Sequence, residues 1–261
     1  MSNIFEALQL AEKERENAHE SHAVTLPEGK PLPPKTKEKR PVRADKYPLQ
    51  NVGSTIETEM VALYQNIDFV LPDSPQRAIQ FISSHEGEGV STVVREFARQ
   101  SAVVMGKSVL IVDAAHRNPS QHIFFNIPAD YGWKDALKNG EPVENAIFKA
   151  GNSNLYLSPL VPHTNLSPYV YDFAATGKLL LDLKKKFDLI LIDSSSATTS
   201  PESIALSRSA DGVILVVEAE KTRWQVVEAV RDKIIKSGGN ILGVVLNKRR
   251  FYIPDSVYKW L

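Results

Sequence analysis

Apolar and polar positions change rhythm several times along the 261-residue chain. Ile4, Phe5, Leu8 and Ala11 fall at helical spacing behind Ser2, a residue able to cap, and predict an amphipathic helix over residues 2–19. Its second half, Glu12 to Glu16, is wholly polar. Residues 20–55 lose the periodicity. Pro27, Pro31, Pro33, Pro34, Pro41 and Pro48 break any helix or central strand there, so this stretch reads as a linker. From residue 56 the pattern returns, and Met60, Leu63, Tyr64, Ile67 and Leu71 mark one helix face. Six short runs rich in Val and Ile follow: Ala78–Ser83, Val109–Asp113, Leu155–Leu160, Leu189–Asp193, Gly212–Glu218 and Ile241–Asn247. They are continuous rather than alternating, as strands buried on both faces are. Helical patterns lie between them at Thr92–Met105, Tyr169–Phe187, Pro201–Ser209 and Thr222–Ser237. This alternation predicts an α/β fold, a doubly wound and mostly parallel sheet, over residues 56–250. Residues 114–153 are weakly patterned and are expected to hold short helices and functional loops. Residues 251–261 form a tail.

Composition narrows the function classes. Thirty-one basic residues balance 31 acidic ones, so the whole molecule offers no electrostatic attraction to nucleic acid. The balance is local only in part. Between Gly29 and Lys46 seven basic residues meet two acidic ones, a net of +5 in the linker. That suits a solvated tether, with a contact to an anionic surface as the sharper alternative. There is no cysteine, which excludes disulfides, thiolate catalysis and cysteine-held metal. No apolar run approaches the roughly 18–20 residues that span a bilayer, and the N-terminus lacks a signal-peptide layout. The expected location is cytoplasmic, with any membrane association made through a partner.

Candidate chemistry concentrates at strand ends, where open α/β sheets place ligands. Ser83-Ser84-His85-Glu86-Gly87-Glu88-Gly89-Val90-Ser91-Thr92 follows a strand and opens a helix, the setting of a phosphate-binding loop. Gly87 and Gly89 let backbone N–H groups converge on an anion, and Ser91 is placed to hold Mg²⁺ through its hydroxyl. The lysine that follows the second glycine in such loops is Val90, which has neither charge nor donor. Glu86 and Glu88 add negative charge that opposes a polyphosphate. Two apolar runs end in Asp113 and Asp193, carboxylates of the kind that hold Mg²⁺ and its waters beside a phosphate loop. Each aspartate alone is better explained as a helix cap; together with the glycine loop they favour a nucleotide-type site. Arg95 and Arg117 are the candidates for a compensating charge. His116, His122 and His163 lack metal-ligand spacing, and Ser194-Ser195-Ser196 lacks the flanking glycines of a nucleophile elbow.

These linked motifs resemble the cytoplasmic ATPase domain of bacterial tyrosine autokinases, which belong with the septum-site and partition ATPases. The likeness covers about residues 56–250. It extends to the opening Met1-Ser2-Asn3-Ile4-Phe5-Glu6-Ala7-Leu8, to Glu59–Ile67, to Arg117-Asn118-Pro119-Ser120, to Asp211-Gly212-Val213 and to Lys221-Thr222-Arg223. The resemblance implies a P-loop fold, ATP and Mg²⁺ as cofactors, and a membrane-embedded polysaccharide co-polymerase as partner. It implies homo-oligomers, and tail tyrosines as phosphoacceptors, here Tyr252 and Tyr258. It places Gly87, Glu88, Gly89, Val90, Ser91 and Thr92 on the phosphates, Asn247 near the base, Ser91, Asp113 and Asp193 on the metal, and catalysis on Asp113 and Asp193.

Three departures set the expected activity. The loop lysine is Val90. The second acidic motif keeps Asp113 but has Ala115 where the family has another aspartate. The third reads Asp193-Ser194-Ser195-Ser196 without its prolines. Removing one preorganised donor from a charge-stabilised transfer costs about 3–4 kcal/mol. The expected function is therefore a kinase-like regulator of exopolysaccharide synthesis or export with impaired ATP chemistry. The alternatives are an active autokinase with an altered loop and a partition-type ATPase.

Overall fold

The computed structural model describes residues 54–161 and 173–249. The amphipathic helix expected at 2–19, the linker up to residue 53, His163, Tyr169–Asp172 and the tail with Tyr252 and Tyr258 lie outside the described residues.

The first helix, α1 (Ser54–Val70), turns its apolar face inward. Ile67 is buried, and Met60, Leu63, Tyr64 and Leu71 pack against the same core. Seven strands follow: β1 (Arg77–Ser83), β2 (Val109–Ala114), β3 (Phe148–Lys149), β4 (Leu155–Ser158), β5 (Leu189–Ser194), β6 (Gly212–Glu218) and β7 (Ile241–Asn247). They form one sheet in the order β3-β4-β2-β5-β1-β6-β7. All pairings are parallel except β3 with β4. The two-residue β3 is not among the strands the sequence predicts, because Phe148 and Lys149 make no apolar run.

Helices cover both faces, which is why the central strands are mostly apolar; the buried Gln80 amide of β1 donates to the Ser194 hydroxyl at 2.9 Å and the Ser203 carbonyl at 2.7 Å. Six helices follow α1: α2 (Val90–Val103), α3 (Gln121–Phe124), α4 (Trp133–Asn139), α5 (Phe173–Lys184), α6 (Pro201–Leu206) and α7 (Trp224–Lys236). Alternate strand residues divide between the two faces. Ile79, Phe81, Ile111, Leu191 and Ile214 meet Val93, Val94 and Phe97 of α2. On the other face Leu110, Val112, Ile190 and Ile192 meet Leu179, Leu180 and Leu183 of α5, while Val213, Leu215 and Val217 meet Val227, Val230 and Ile234 of α7. Edge strand β7 is only partly covered, with Val244 and Leu246 exposed.

Two polar anchors fix the register at the bottom of the sheet. Asp211 accepts the Ala78 backbone N–H at 2.7 Å and the Lys184 ammonium at 2.8 Å. Asp188 accepts the N–H and hydroxyl of Ser108 at 2.8 and 2.9 Å. At the opposite, carboxyl end, Ala197 N–H donates to Ser83 at 2.8 Å and the Thr198 hydroxyl to Ser84 at 2.7 Å. The loop after β5 is thereby tied to the loop after β1.

Candidate functional site

The glycine loop joins β1 to α2 as the sequence predicts, with the helix beginning at Val90, two residues earlier than the periodicity indicates. Gly87 has φ +81 and Gly89 φ +95, the left-handed region that L side chains rarely adopt. Gly89 caps α2, and the backbone N–H groups of Thr92 and Val93 return to its carbonyl. A cavity of about 410 Å³ opens over this turn. Gly87, Gly89, Ser91, Arg117, Asn118 and Ser195 are among the residues that line it. It therefore sits on the carboxyl ends of β1, β2 and β5, at the N-terminus of a 14-residue helix, where partial positive charge accumulates.

Val90 borders this cavity but is 7% exposed and joins the apolar core beside Val93, Val94 and Phe97. Its packing accounts for a valine there, and the loop itself carries no lysine or arginine. Glu88 has a structural role that the sequence did not show. Its buried carboxylate accepts the backbone N–H of His85 at 2.8 Å and of Glu218 at 3.3 Å, and the Thr222 hydroxyl. The charge is engaged by three donors and braces the loop against the turn after β6. Glu86 remains exposed, 3.8 Å from Arg117.

Asp113 and Asp193 are paired in register on β2 and β5, and both are fully buried. They share the sheet face covered by α2. Asp113 accepts the backbone N–H groups of Ala115 at 3.0 Å and Gln121 at 3.2 Å. Burial, with the Asp193 carboxylate beside it, pushes its pKa up to about 8. Burial raises Asp193 as well, against hydrogen bonds from Gln121 and Ser91 and the charge of Arg95. Gln121 was not legible as a site residue. It is fully buried, and its amide donates to Asp193 at 2.6 Å and to the Ser91 carbonyl at 3.2 Å. The signal available was its position just after Arg117-Asn118-Pro119-Ser120, at the start of α3.

Magnesium suits the acceptor side of this cluster. Asp193 Oδ1 and Gln121 Oε1 are buried acceptors without a hydrogen-bond partner, and hard cations take such oxygens. Among the described residues no group of three or more His, Asp or Glu forms a cage. Ser91 and Asp193 are the residues that could hold an ion there together with the oxygens of a phosphate.

The two arginines differ. Arg95 stacks on Phe124 at 4.4 Å and donates to the Thr92 hydroxyl at 3.2 Å, with its charge felt by both aspartates. Arg117 is exposed at the cavity rim. Asn247, at the end of β7, donates through its amide to the Glu88 carbonyl at 2.8 Å and packs on Gly89. The structure thus brings the loop, Asp113, Asp193 and Asn247 to one end of the sheet.

Comparison with known proteins bears out the resemblance drawn from the linked motifs. Tyrosine-protein kinase YwqD of Bacillus subtilis is 23% identical over 215 residues, covering 77% of this chain and 90% of the relative. The crystal structure of the chimerical protein CapA2B2 superposes with a TM-score of 0.66 at 26% identity, covering 74% of this chain and 85% of that one. The septum-site-determining protein MinD of Pyrococcus horikoshii, solved with Mg-ADP, gives a TM-score of 0.56 at 23% identity over 70% of this chain and 76% of its own. That last likeness shows the shared P-loop-type fold. The family model described as cellulose biosynthesis protein BcsQ matches residues 84–229, from the glycine loop through β6 into α7. The chain belongs to the BcsQ family of cellulose biosynthesis proteins.

Proposed function

We propose that this chain is a kinase-like P-loop component of exopolysaccharide synthesis or export that binds nucleotide phosphate and transfers it poorly. The observation that carries the reading is the glycine loop itself. It keeps the left-handed glycines, the helix N-terminus and the cavity, while the position of its lysine is filled by Val90, packed in the apolar core. Backbone N–H groups supply binding; the missing ammonium removes stabilisation from the developing charge. Magnesium brought with the nucleotide neutralises phosphate charge, and Ser91 and Asp193 are the residues that would hold it.

The pathway rests on the family, named for cellulose biosynthesis, and on a relative named as a tyrosine kinase. No described helix is long and apolar enough to cross a membrane. We place the chain at the inner face of the plasma membrane through a membrane-embedded polysaccharide co-polymerase, with the +5 linker as tether.

The test uses the full chain from its own host. Calorimetric titration with Mg-ATP gives saturable binding, and phosphotyrosine immunoblotting gives no signal. Phosphotyrosine at Tyr252 or Tyr258 overturns the impaired-transfer reading in favour of an active autokinase. Absence of saturable binding, in the wild type and in Val90→Lys alike, overturns the nucleotide reading.

A further inference from the structure

Val90 leaves the loop without an ammonium of its own, yet one stands beside it. Lys248 follows the last residue of β7 and has φ +58, a left-handed backbone that costs a non-glycine residue energy. Its stem runs past the second glycine, with Cε 3.9 Å from where a Cβ on Gly89 would lie. Its ammonium donates to the Gly87 carbonyl at 2.5 Å and lies 3.2 Å from Glu218 Oε2. Asn247 holds the Glu88 carbonyl in the same way. The tip of β7 therefore touches residues 87, 88 and 89 in succession.

An ammonium has three donors. Gly87 and Glu218 take two of them; Lys248 does not itself line the cavity, so the third must turn past Gly87 to meet an anion there. The other cations at this end are less suited. Arg95 is stacked on Phe124 and faces the buried aspartates. Arg117 reaches the cavity from the loop after β2 and is held only by a 3.8 Å pairing with Glu86. Lys248 alone of the three is bonded to the backbone of the glycine loop. Its distance in sequence from Val90 hides this relation from any local motif.

We propose that Lys248 supplies, to a nucleoside polyphosphate bound in the glycine loop, the positive charge that Val90 lacks. The inference rests on the nucleotide reading above and names the residue that makes binding possible without a loop lysine.

The experiment titrates Mg-ATP and Mg-ADP calorimetrically into the full chain and five variants: Lys248→Ala, Lys248→Gln, Glu218→Gln, Val90→Lys and Val90→Lys/Lys248→Ala. Both Lys248 single variants bind about tenfold more weakly, as loss of one charge-assisted contact requires. The double variant recovers the wild-type dissociation constant. Lys248→Gln keeps an N–H donor on a side chain one bond shorter than lysine's, and a wild-type urea midpoint for this variant makes its weakening report charge rather than loop support. Glu218→Gln, which releases the ammonium from its carboxylate, binds at least as tightly as the wild type. Wild-type affinity in Lys248→Gln overturns the inference while leaving nucleotide binding intact. Failure of the wild type and Val90→Lys to bind overturns the nucleotide reading and this inference together.

Discussion

Replacing Gly89 by alanine tests how β7 is fastened to the glycine loop. The backbone there has φ +95, so any side chain is strained by about 1–2 kcal/mol. The new Cβ also overlaps the Asn247 amide nitrogen and lies 3.5 Å from Asn247 Cγ. The amide must swing away and give up its 2.8 Å hydrogen bond to the Glu88 carbonyl. Glu88 is 2% exposed, so that carbonyl is poorly placed to find water. Losing a bond of this kind costs about 1 kcal/mol, and more when the partner stays unpaired. The total for Gly89→Ala is about 2–4 kcal/mol. Gly87→Ala is the matched control. It carries the same kind of backbone strain at φ +81, with open space where its Cβ would lie. It should cost about 1–2 kcal/mol. Urea unfolding followed by circular dichroism measures both, at equal m-values. Equal destabilisation by the two alanines would show that Asn247 contributes nothing to the loop. An Asn247→Ala change that remains fully costly in the Gly89→Ala background would refute the same reasoning.

Two further measurements probe the frame around the site. Phe97 is fully buried, 5.8 Å from the Phe81 ring and 6.5 Å from Tyr64. Phe97→Ala should lower the urea-derived stability by about 3–5 kcal/mol, and a loss under about 1 kcal/mol would contradict its place at the centre of the core. His116 is pushed down to about 4 by burial and by Lys134, whose ammonium lies 3.1 Å from Nε2 and 3.2 Å from Nδ1. The lowered direction stands despite Glu202 at 3.2 Å from Nε2, because neutral imidazole satisfies both neighbours: Nδ1 accepts from Lys134 and Nε2–H donates to Glu202. The unfolded imidazole titrates near 6.5, so stability from this group is complete above that pH. It is lost as pH falls from 6.5 toward 4, by about 1.4 kcal/mol per unit. His116→Gln should flatten the stability profile in that window, and a parallel profile would show that His116 is not held neutral.

Much of the fold was legible in sequence because its causes are local. Strands buried on both faces are mostly apolar, and β2, β5 and β6 read that way up to their carboxyl ends, while β1 does so around the hydrogen-bonded Gln80. Edge strand β3 escaped because two residues paired antiparallel to β4 carry no pattern. The start of α2 shifted to Val90 because Gly89, not Ser91, ends the turn. Gly87, Gly89, Asp113 and Asp193 were singled out by type and context, and Asn247 through the family resemblance. Gln121, the bracing role of Glu88 and the reach of Lys248 were not, since each depends on a partner distant in sequence.

The sequence by itself determined the alternation of strands and helices, the glycine turn before α2, the aspartates at two strand ends and the loss of the loop lysine. Each follows from backbone preference, burial or residue chemistry at one position. Only the tertiary structure decided that Val90 packs in the core, that Glu88 spends its charge on loop donors, and that Asp113 and Asp193 face one another across a register pair. It also carried Lys248 to the loop Val90 leaves uncharged. Those outcomes belong to the order of strands in the sheet, because β6 lies beside β1 with β7 on its far side, and β2 and β5 share a face beneath α2.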